Sequence, residues 1–138
     1  MEHKFEEKVY YSDTDAYGVV WHGSYLRWME KGRVLFCDKL GLNLVDLANN
    51  DIVLPVTNLN IKYKSSAKLN DEIVISTKVS KITPLSVQFT QTISDKHTDK
   101  IFTIAEVDVV AISEKGKLYR RLPDMLKNVF TEDIICND

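Results

Sequence analysis

Hydrophobic residues follow two different periodicities along the 138-residue chain, and the change between them predicts its elements. After Gly23 and Ser24, apolar side chains recur at spacings of three and four, which is typical of a helix with one wide apolar face. Gly41 is expected to end this long helix. A short helix over Leu44–Asn49, capped by Asn43, is expected to follow. The residues of the apolar face are Tyr25, Trp28, Met29, Gly32, Leu35, Phe36 and Leu40.

From Ile52 onward the apolar period becomes two, which predicts antiparallel strands with one buried face. Turn signals rich in Asn, Asp, Gly and Pro separate these strands. A long strand over 101–112 has an apolar end, so we expect it to be a central or an interface strand. The alternating residues of the earlier strands are Leu59, Ile61 and Tyr63, then Ile73, Ile75, Thr77 and Val79, then Leu85, Val87, Phe89 and Gln91.

Two further elements complete the predicted fold. A mixed polar and apolar run over 4–12 predicts a first strand that ends in an Asp-rich turn. A short helix is expected over 123–130, with Pro123 at a tolerated position in its first turn. Residues 1–138 are therefore expected to form one α+β domain, because a helix with so wide an apolar face is buried only if the sheet curls around it. Long Val-rich strands also leave an edge that needs a cover, and a second copy of the chain is the natural one.

Composition narrows the classes of function. The net charge is -2 and the Lys and Arg residues are scattered, so the basic stripe of a nucleic-acid-binding protein is missing. Two cysteines, Cys37 and Cys136, are too few for a disulfide framework, and a reducing cytoplasm is the expected compartment. Neither a signal peptide nor an apolar run of about 18 residues is present, so we expect no membrane span.

Most of the candidate chemistry lies between Tyr10 and Arg33. Asp15 is the strongest candidate for a catalytic carboxylate, because it precedes a helix start and Gly18 lets the backbone bend close to a ligand. A carboxylate there could attack a carbonyl directly or deprotonate a water molecule. The alternative is that Asp13 and Asp15 are turn and cap residues, and Asp13 is the better candidate for that structural role.

His22 stands where the long helix should begin, so its backbone N–H is among the donors that a helix leaves unpaired. That N–H could polarise a substrate oxygen, and the imidazole could bind substrate or hold the carboxylate. Glu30 lies further along the helix, three residues from both Arg27 and Arg33. It is either part of a surface ion pair or, if it points with Tyr25 into the cleft, a second carboxylate of the site.

Other kinds of site are disfavoured. No Gly-x-Ser-x-Gly pattern indicates a nucleophilic serine, and no Gly-rich loop indicates a phosphate or dinucleotide site. His3, His22 and His97 are dispersed and neither cysteine has a partner at ligand spacing, so no metal is expected. The pair Ser65 and Ser66 could bind a substrate tail, although serines at strand ends mostly form turns.

Residues 11–33 closely resemble the signature of hotdog-fold acyl-CoA thioesterases. Their sequence is YSDTDAYGVVWHGSYLRWMEKGR. The run is most similar to the 4-hydroxybenzoyl-CoA thioesterase family and, within it, to the Tol-Pal-associated acyl-CoA thioesterase branch. The similarity continues through 54–63, 67–71 and 105–123, so it covers nearly the whole chain. It implies a hotdog fold, in which a curved antiparallel sheet wraps a long central helix.

The resemblance also implies roles for individual residues. In that family the second Asp of an Asp-x-Asp pair is the catalytic carboxylate, which is Asp15 here. The oxyanion donor of the family is the backbone N–H at the start of the central helix, which falls at His22. The Tol-Pal-associated branch has a histidine there and a glutamate at the position of Glu30, so both side chains become candidates for the catalytic set. The candidate substrate-binding residues are Tyr11, Gly18, Val19, Trp21 and Tyr25.

Substrate and partners follow from the same resemblance. It implies hydrolysis of an acyl-CoA without a separate cofactor, because CoA is part of the substrate. Family members form dimers with active sites at the subunit boundary, often paired again into tetramers, so a homodimer or dimer of dimers is expected. One aromatic-thioester member binds the CoA phosphates with a basic cluster between its third and fourth strands. Here only Lys81 is basic in that region, so those contacts are not carried over.

Two alternatives remain open at this point. The substrate could be an aromatic or quinone-precursor CoA ester, or an ester of acyl carrier protein, because Tyr17, Trp21 and Trp28 could line an aromatic pocket. The chain could instead be a non-catalytic scaffold that binds acyl-CoA or an envelope-associated protein.

Overall fold

The computed structural model describes residues 1–136, and within them no helix is both long enough and apolar enough to cross a membrane. The elements are β1 (Glu2–Lys8), a 3-10 turn (Tyr11–Asp13), α1 (His22–Lys39), α2 (Leu44–Asn49), β2 (Val56–Tyr63), β3 (Glu72–Ile82), β4 (Ser86–Asp95), β5 (Ile101–Val110), α3 (Asp124–Lys127) and a second 3-10 turn (Glu132–Ile134). The predicted start of α1 at His22 is confirmed. The predicted cap of α2 is confirmed as well, because Asn43 Oδ1 accepts the backbone N–H of Val45 at 2.8 Å.

All five strands form one antiparallel sheet in the order β1-β3-β4-β5-β2. Strands β3, β4 and β5 form a meander with short connections. Strands β1 and β2 lie at opposite edges of the sheet, and the segment that connects them carries α1, which packs on the sheet, and α2. The Val-rich strand β5 lies between β4 and β2, so the central one of the two positions predicted for it, central or interface, is confirmed. The α+β class is confirmed as well.

Helix α1 packs on β3, β1 and β4, and it approaches the sheet closely at Gly32. A Cβ atom there would lie 2.6 Å from Thr77 Oγ1 and 3.0 Å from Gln91 Nε2, so only glycine fits without rearrangement. Gln91 Nε2 donates to the carbonyl of Met29 at 2.8 Å and to Thr77 Oγ1 at 2.9 Å. Arg33 Nη1 donates to Gln91 Oε1 at 3.0 Å. A buried polar cluster therefore joins helix and sheet within the apolar core.

Strand β2 differs from the expectation that one of its faces is buried. Leu59 and Tyr63 pair with Val107 and Thr103, which are buried, yet the two β2 residues are 41% and 47% exposed. Directly paired residues share a face of the sheet, so these side chains point to the inner side. Strand β2 is an edge strand beyond the three strands that α1 covers. Its inner face is therefore apolar and open to solvent in the described chain.

The first strand ends earlier than the sequence predicted. Strand β1 stops at Lys8, whereas the prediction extended it through residue 12. The chain instead turns into a 3-10 helix at Tyr11–Asp13, where the backbone N–H of Thr14 donates to the carbonyl of Tyr11 at 3.0 Å. This early turn is what places the Asp-rich segment beside α1.

Two elements near the C-terminal end are also shorter than predicted. Strand β5 ends at Val110, because Ile112 leaves it to form an isolated pair with Val53. Helix α3 covers Asp124–Lys127 rather than 123–130, and Pro123 is its N-cap rather than a first-turn residue. Neither difference affects the site.

Candidate active site

A tight turn ahead of α1 positions Asp15. The backbone N–H of Asp15 donates to the carbonyl of Val19 at 2.9 Å, and the N–H of Gly18 donates to the carbonyl of Asp15 at 3.1 Å. Gly18 has φ +77°, a left-handed conformation that glycine adopts without strain. Asp15 Oδ1 accepts the N–H of Tyr17 at 2.8 Å. The carboxylate therefore has the turn-forming contact that the alternative interpretation expected, and this contact also fixes its orientation.

The turn is attached to the loop that follows β2. The backbone N–H of Val20 donates to the carbonyl of Ala67 at 2.9 Å, and Val19 forms an isolated pair with Lys68. Tyr25, in the first turn of α1, accepts the N–H of Ala67 at its phenol oxygen over 3.0 Å. The Asp15 turn, the start of α1 and the end of β2 therefore meet at one end of the molecule.

Helix α1 begins directly after this turn, with Trp21 as its N-cap. Ser24 N–H donates to the carbonyl of Trp21 at 2.9 Å. Helix geometry leaves the N–H groups of His22 and Gly23 without an intrahelical acceptor, and the helix dipole favours negative charge beside them. The Trp21 indole lies over Gly23, where a Cβ atom would come within 2.3 Å of the ring. A larger residue would push the indole away from the helix start.

An open cavity of about 350 Å³ brings the carboxylate and the helix start together. The phenol of Tyr63 donates to the carbonyl of His22 at 3.2 Å, and its ring lies 5.7 Å from that of Tyr25. Burial raises the pKa of both phenols above their usual range, so both are neutral hydroxyl groups near pH 7. The lining residues are Asp15, Val20, His22, Tyr25, Tyr63, Lys64, Ser65 and Ser66.

Three predicted site residues, Asp15, His22 and Tyr25, line this cavity. Gly18 and Val19 form the turn behind Asp15 rather than the cavity wall. Tyr11 and Trp21 are 81% and 51% exposed and lie outside the lining. Of the other aromatic candidates, Trp28 is buried in the core, whereas Tyr17 is 91% exposed.

The structure of one chain does not bring Glu30 to Asp15. Glu30 borders a second cavity, of about 240 Å³, whose walls are mostly apolar. The expected ion-pair partners are engaged elsewhere, since Arg27 pairs with Asp13 and Arg33 bonds to Gln91. Burial lowers the pKa of Arg33, and the charge of Glu30 opposes that effect. The lining residues are Glu30, Arg33, Val34, Cys37, Leu44, Leu54, Val56, Phe89 and Val109.

Tyr63 and Lys64 line the Asp15 cavity, although the sequence pattern predicts no site role for them. Sheet pairing carries them there, because Tyr63 pairs with Thr103 and the N–H of Lys64 donates to the carbonyl of Phe102 at 2.8 Å. The only local feature of the sequence that points to this position is an aromatic residue, Tyr63, at the end of the alternating run of β2. Sequence spacing holds no information about which loop a strand end will meet.

This arrangement suits attack on a carbonyl group. A carboxylate can supply a nucleophile or a base, and helix N-terminal N–H groups can stabilise the oxyanion that forms. Within residues 1–136, no three His, Cys, Asp or Glu side chains are grouped as metal ligands.

Comparison with known proteins identifies related sequences and folds. Residues 9–130 match the model of the thioesterase-like superfamily. The acyl-CoA thioester hydrolase YbgC of Escherichia coli O6:H1 is 30% identical over 125 residues, which are 91% of this chain and 92% of that protein. The acyl-CoA thioesterase YbgC of Haemophilus influenzae is 35% identical over 88 residues, which are 63% of this chain and 65% of that protein. The crystal structure of DHNA-CoA thioesterase from Staphylococcus aureus matches with a TM-score of 0.82 at 28% identity, covering 94% of this chain and 83% of that one.

Proposed function

The chain belongs to the thioesterase-like superfamily and is a hotdog-fold thioesterase, and on this premise we propose that it hydrolyses an acyl-CoA thioester in the cavity shared by Asp15 and His22. The observation that carries the proposal is that the Asp15 carboxylate and the start of α1 line the same open cavity. The relatives named acyl-CoA thioester hydrolase and acyl-CoA thioesterase support the substrate class.

Two routes use the same groups. In the first, Asp15 takes a proton from water while the water oxygen attacks the thioester carbonyl carbon. In the second, an Asp15 oxygen attacks that carbon, the thiolate leaves, and water then hydrolyses the resulting anhydride. In both, the C–S bond breaks, the thiolate gains a proton, and the products are a carboxylic acid and CoA.

The start of α1 stabilises the oxyanion of either route. The backbone N–H groups of His22 and Gly23 are the proposed donors, because helix geometry leaves them without acceptors. Deleting one such donor typically raises a barrier by ~3 to 4 kcal/mol. His22 lines the same cavity, and its imidazole is proposed to hydrogen-bond the substrate.

Asp15→Asn tests the assignment of the carboxylate. The amide keeps an oxygen for the N–H of Tyr17, so the thermal midpoint should hardly change, whereas kcat should fall by ~10² to 10⁴-fold because the base or nucleophile is lost. The measurement is thiol release from acetyl-, hexanoyl-, palmitoyl- and benzoyl-CoA. Asp46→Asn, which changes a carboxylate in the first turn of α2, is the matched control and should retain full activity.

Each outcome of this assay decides a separate point. Undiminished hydrolysis by Asp15→Asn would assign the chemistry to another residue. Absence of hydrolysis of every ester by the wild type would contradict the proposed activity. Preference for the benzoyl ester would favour the aromatic alternative, which the similarity to the DHNA-CoA thioesterase of Staphylococcus aureus supports.

We further propose that a second copy of the chain completes each site. Strand β2 has a backbone edge and an apolar inner face that α1 does not cover. Antiparallel pairing of two β2 edges about a two-fold axis sets the Val56 end of one strand beside the Tyr63 end of the other. The cavity bordered by Glu30 of the partner subunit then adjoins the cavity that holds Asp15. This pairing would supply the second carboxylate that one chain does not bring to the site.

Leu59→Glu tests this pairing. Leu59 is 41% exposed, so the charge should leave the single chain folded while it prevents association of the two apolar faces. Sedimentation analysis should then show a monomer with much reduced turnover. Leu118→Glu changes another exposed leucine, away from β2, and should keep the mass of the wild type. A fully active wild-type monomer would contradict the proposal.

A further inference from the structure

Asp13 is the most highly connected residue of the segment before α1. It is 4% exposed, whereas its neighbours on either side are exposed or half-buried. Its Oδ2 accepts the backbone N–H of Tyr10 at 2.9 Å, and its Oδ1 pairs with the guanidinium of Arg27. Its own carbonyl accepts the N–H of Trp21 at 2.8 Å and the hydroxyl of Ser24 at 3.0 Å. One residue therefore contacts the loop that follows β1, the cap of α1 and two turns of that helix.

These contacts surround the proposed reacting groups without including them. Asp13 lies two positions before Asp15, and its carbonyl contacts Trp21 and Ser24, which flank His22 and Gly23. Asp13 is absent from the lining of the Asp15 cavity, so it does not touch a substrate there. We therefore expect a displacement of Asp13 to change the distance between the Asp15 carboxylate and the helix N–H groups.

We infer that Asp13 is a positioning residue of the thioesterase site, holding the Asp15 turn and the oxyanion-binding start of α1 at a fixed separation. The inference rests on the proposed function. A misplacement of about 1 Å at a reacting centre can cost ~10²-fold in rate, so a small change in this contact set should be visible in turnover. Arg27 adds a contact further along the helix, because its ion pair connects the Asp13 carboxylate to the second turn of α1.

A purely structural role is the competing explanation, and stability separates the two. The ion pair joins an Arg27 side chain that is 62% exposed to an Asp13 side chain that is 6% exposed, so solvent on the Arg27 side limits what the pair contributes to the free energy of unfolding. A structural role predicts a lower thermal midpoint with unchanged kcat in the folded protein. A positioning role predicts a lower kcat with a nearly unchanged midpoint and KM.

The test uses Asp13→Asn, Arg27→Met and the double variant in the full chain. Asp13→Asn keeps an oxygen for the N–H of Tyr10 but loses the charge that holds Arg27, so kcat should fall roughly 10-fold or more. Arg27→Met should act in the same direction, and Arg27→Lys should restore part of the rate. The double variant should be no slower than the slower single variant, because the two residues act as one unit. Lys31→Met removes a different ion pair of α1, with Glu7, and should leave kcat unchanged.

A second measurement does not depend on turnover. In Asp13→Asn, the backbone amide resonances of Asp15, His22 and Gly23 should shift in 15N-resolved NMR spectra, while those of α2 stay in place. Unchanged resonances, or kcat within twofold of the wild type, would overturn the inference. If the wild type hydrolyses no ester, the proposed function fails, and the amide resonances still decide the role of Asp13.

Discussion

The middle of α1 and its start contact the rest of the chain in different ways. In the middle, Gly32 lies against Thr77 and Gln91, both of which are fully buried. At the start, His22 is exposed and its sheet partner Tyr63 is 47% exposed. Close packing fixes the helix on the sheet in the first region, whereas a few hydrogen bonds fix accessible groups in the second. From this difference we expect substitutions in the middle of α1 to lower the free energy of unfolding, and substitutions at its start to lower kcat.

The largest effect on stability is expected for Gly32→Val. The new Cβ would lie 2.6 Å from Thr77 Oγ1, so helix and sheet must move apart, which should lower the free energy of unfolding by about 3 kcal/mol. Equilibrium urea unfolding measures this change in the free energy of unfolding. Lys31→Val places the same side chain on the exposed neighbouring position and, together with the loss of the ion pair to Glu7, should cost only about 1 kcal/mol. Equal free energies of unfolding for the two variants would contradict the claim that close packing at Gly32 holds the middle of α1 on the sheet.

An intermediate effect is expected for Gln91→Leu. It removes the donor to the Met29 carbonyl and to Thr77, and also the acceptor of Arg33. Leaving such buried groups unsatisfied should lower the free energy of unfolding by about 2 kcal/mol. Equilibrium urea unfolding measures this loss. Gln88→Leu, which changes a half-buried glutamine of the same strand, is the control. The kcat per folded molecule of Gln91→Leu should stay unchanged. A large fall in kcat would contradict the division between the two regions.

The smallest effect is expected for Tyr63→Phe. It also deletes one polar contact between helix and sheet, the bond to the His22 carbonyl, but this contact is half exposed and water can replace the donor. The free energy of unfolding should fall by only about 0.5 kcal/mol. The same urea measurement applies, and a loss as large as that of Gln91→Leu would show that burial is not what separates the two regions.

The extent of α1 and the start of α2 were predictable because their signals are local. The apolar period fixed the extent of α1, and Asn43 fixed the start of α2 through its own side chain. The open inner face of β2 was not predictable. Alternation shows which face of a strand is apolar, but only the tertiary arrangement decides that α1 stops short of Leu59 and Tyr63.

The candidate site divides in the same way. Asp15 and His22 are seven positions apart with a glycine turn between them, so their meeting in one cavity could be predicted from the sequence. Lys64 reaches that cavity through pairing with β5, which no local pattern records. The sequence places Glu30 on α1 but does not show which cavity its side chain borders, because that depends on the elements packed against the helix.

The strand order has a consequence for folding kinetics. Turns join β3, β4 and β5 directly, whereas β1 pairs with β3 across most of the chain, Glu2 lying opposite Lys78. Closing such a long loop costs conformational entropy, and the contacts between β1 and β3 offset that cost only once β3 is already in the sheet. We expect the meander to form the nucleus and the segment between β1 and α1 to acquire its order afterwards. We therefore expect the residues proposed for catalysis to belong to the part of the chain that folds last and opens first in native-state hydrogen exchange.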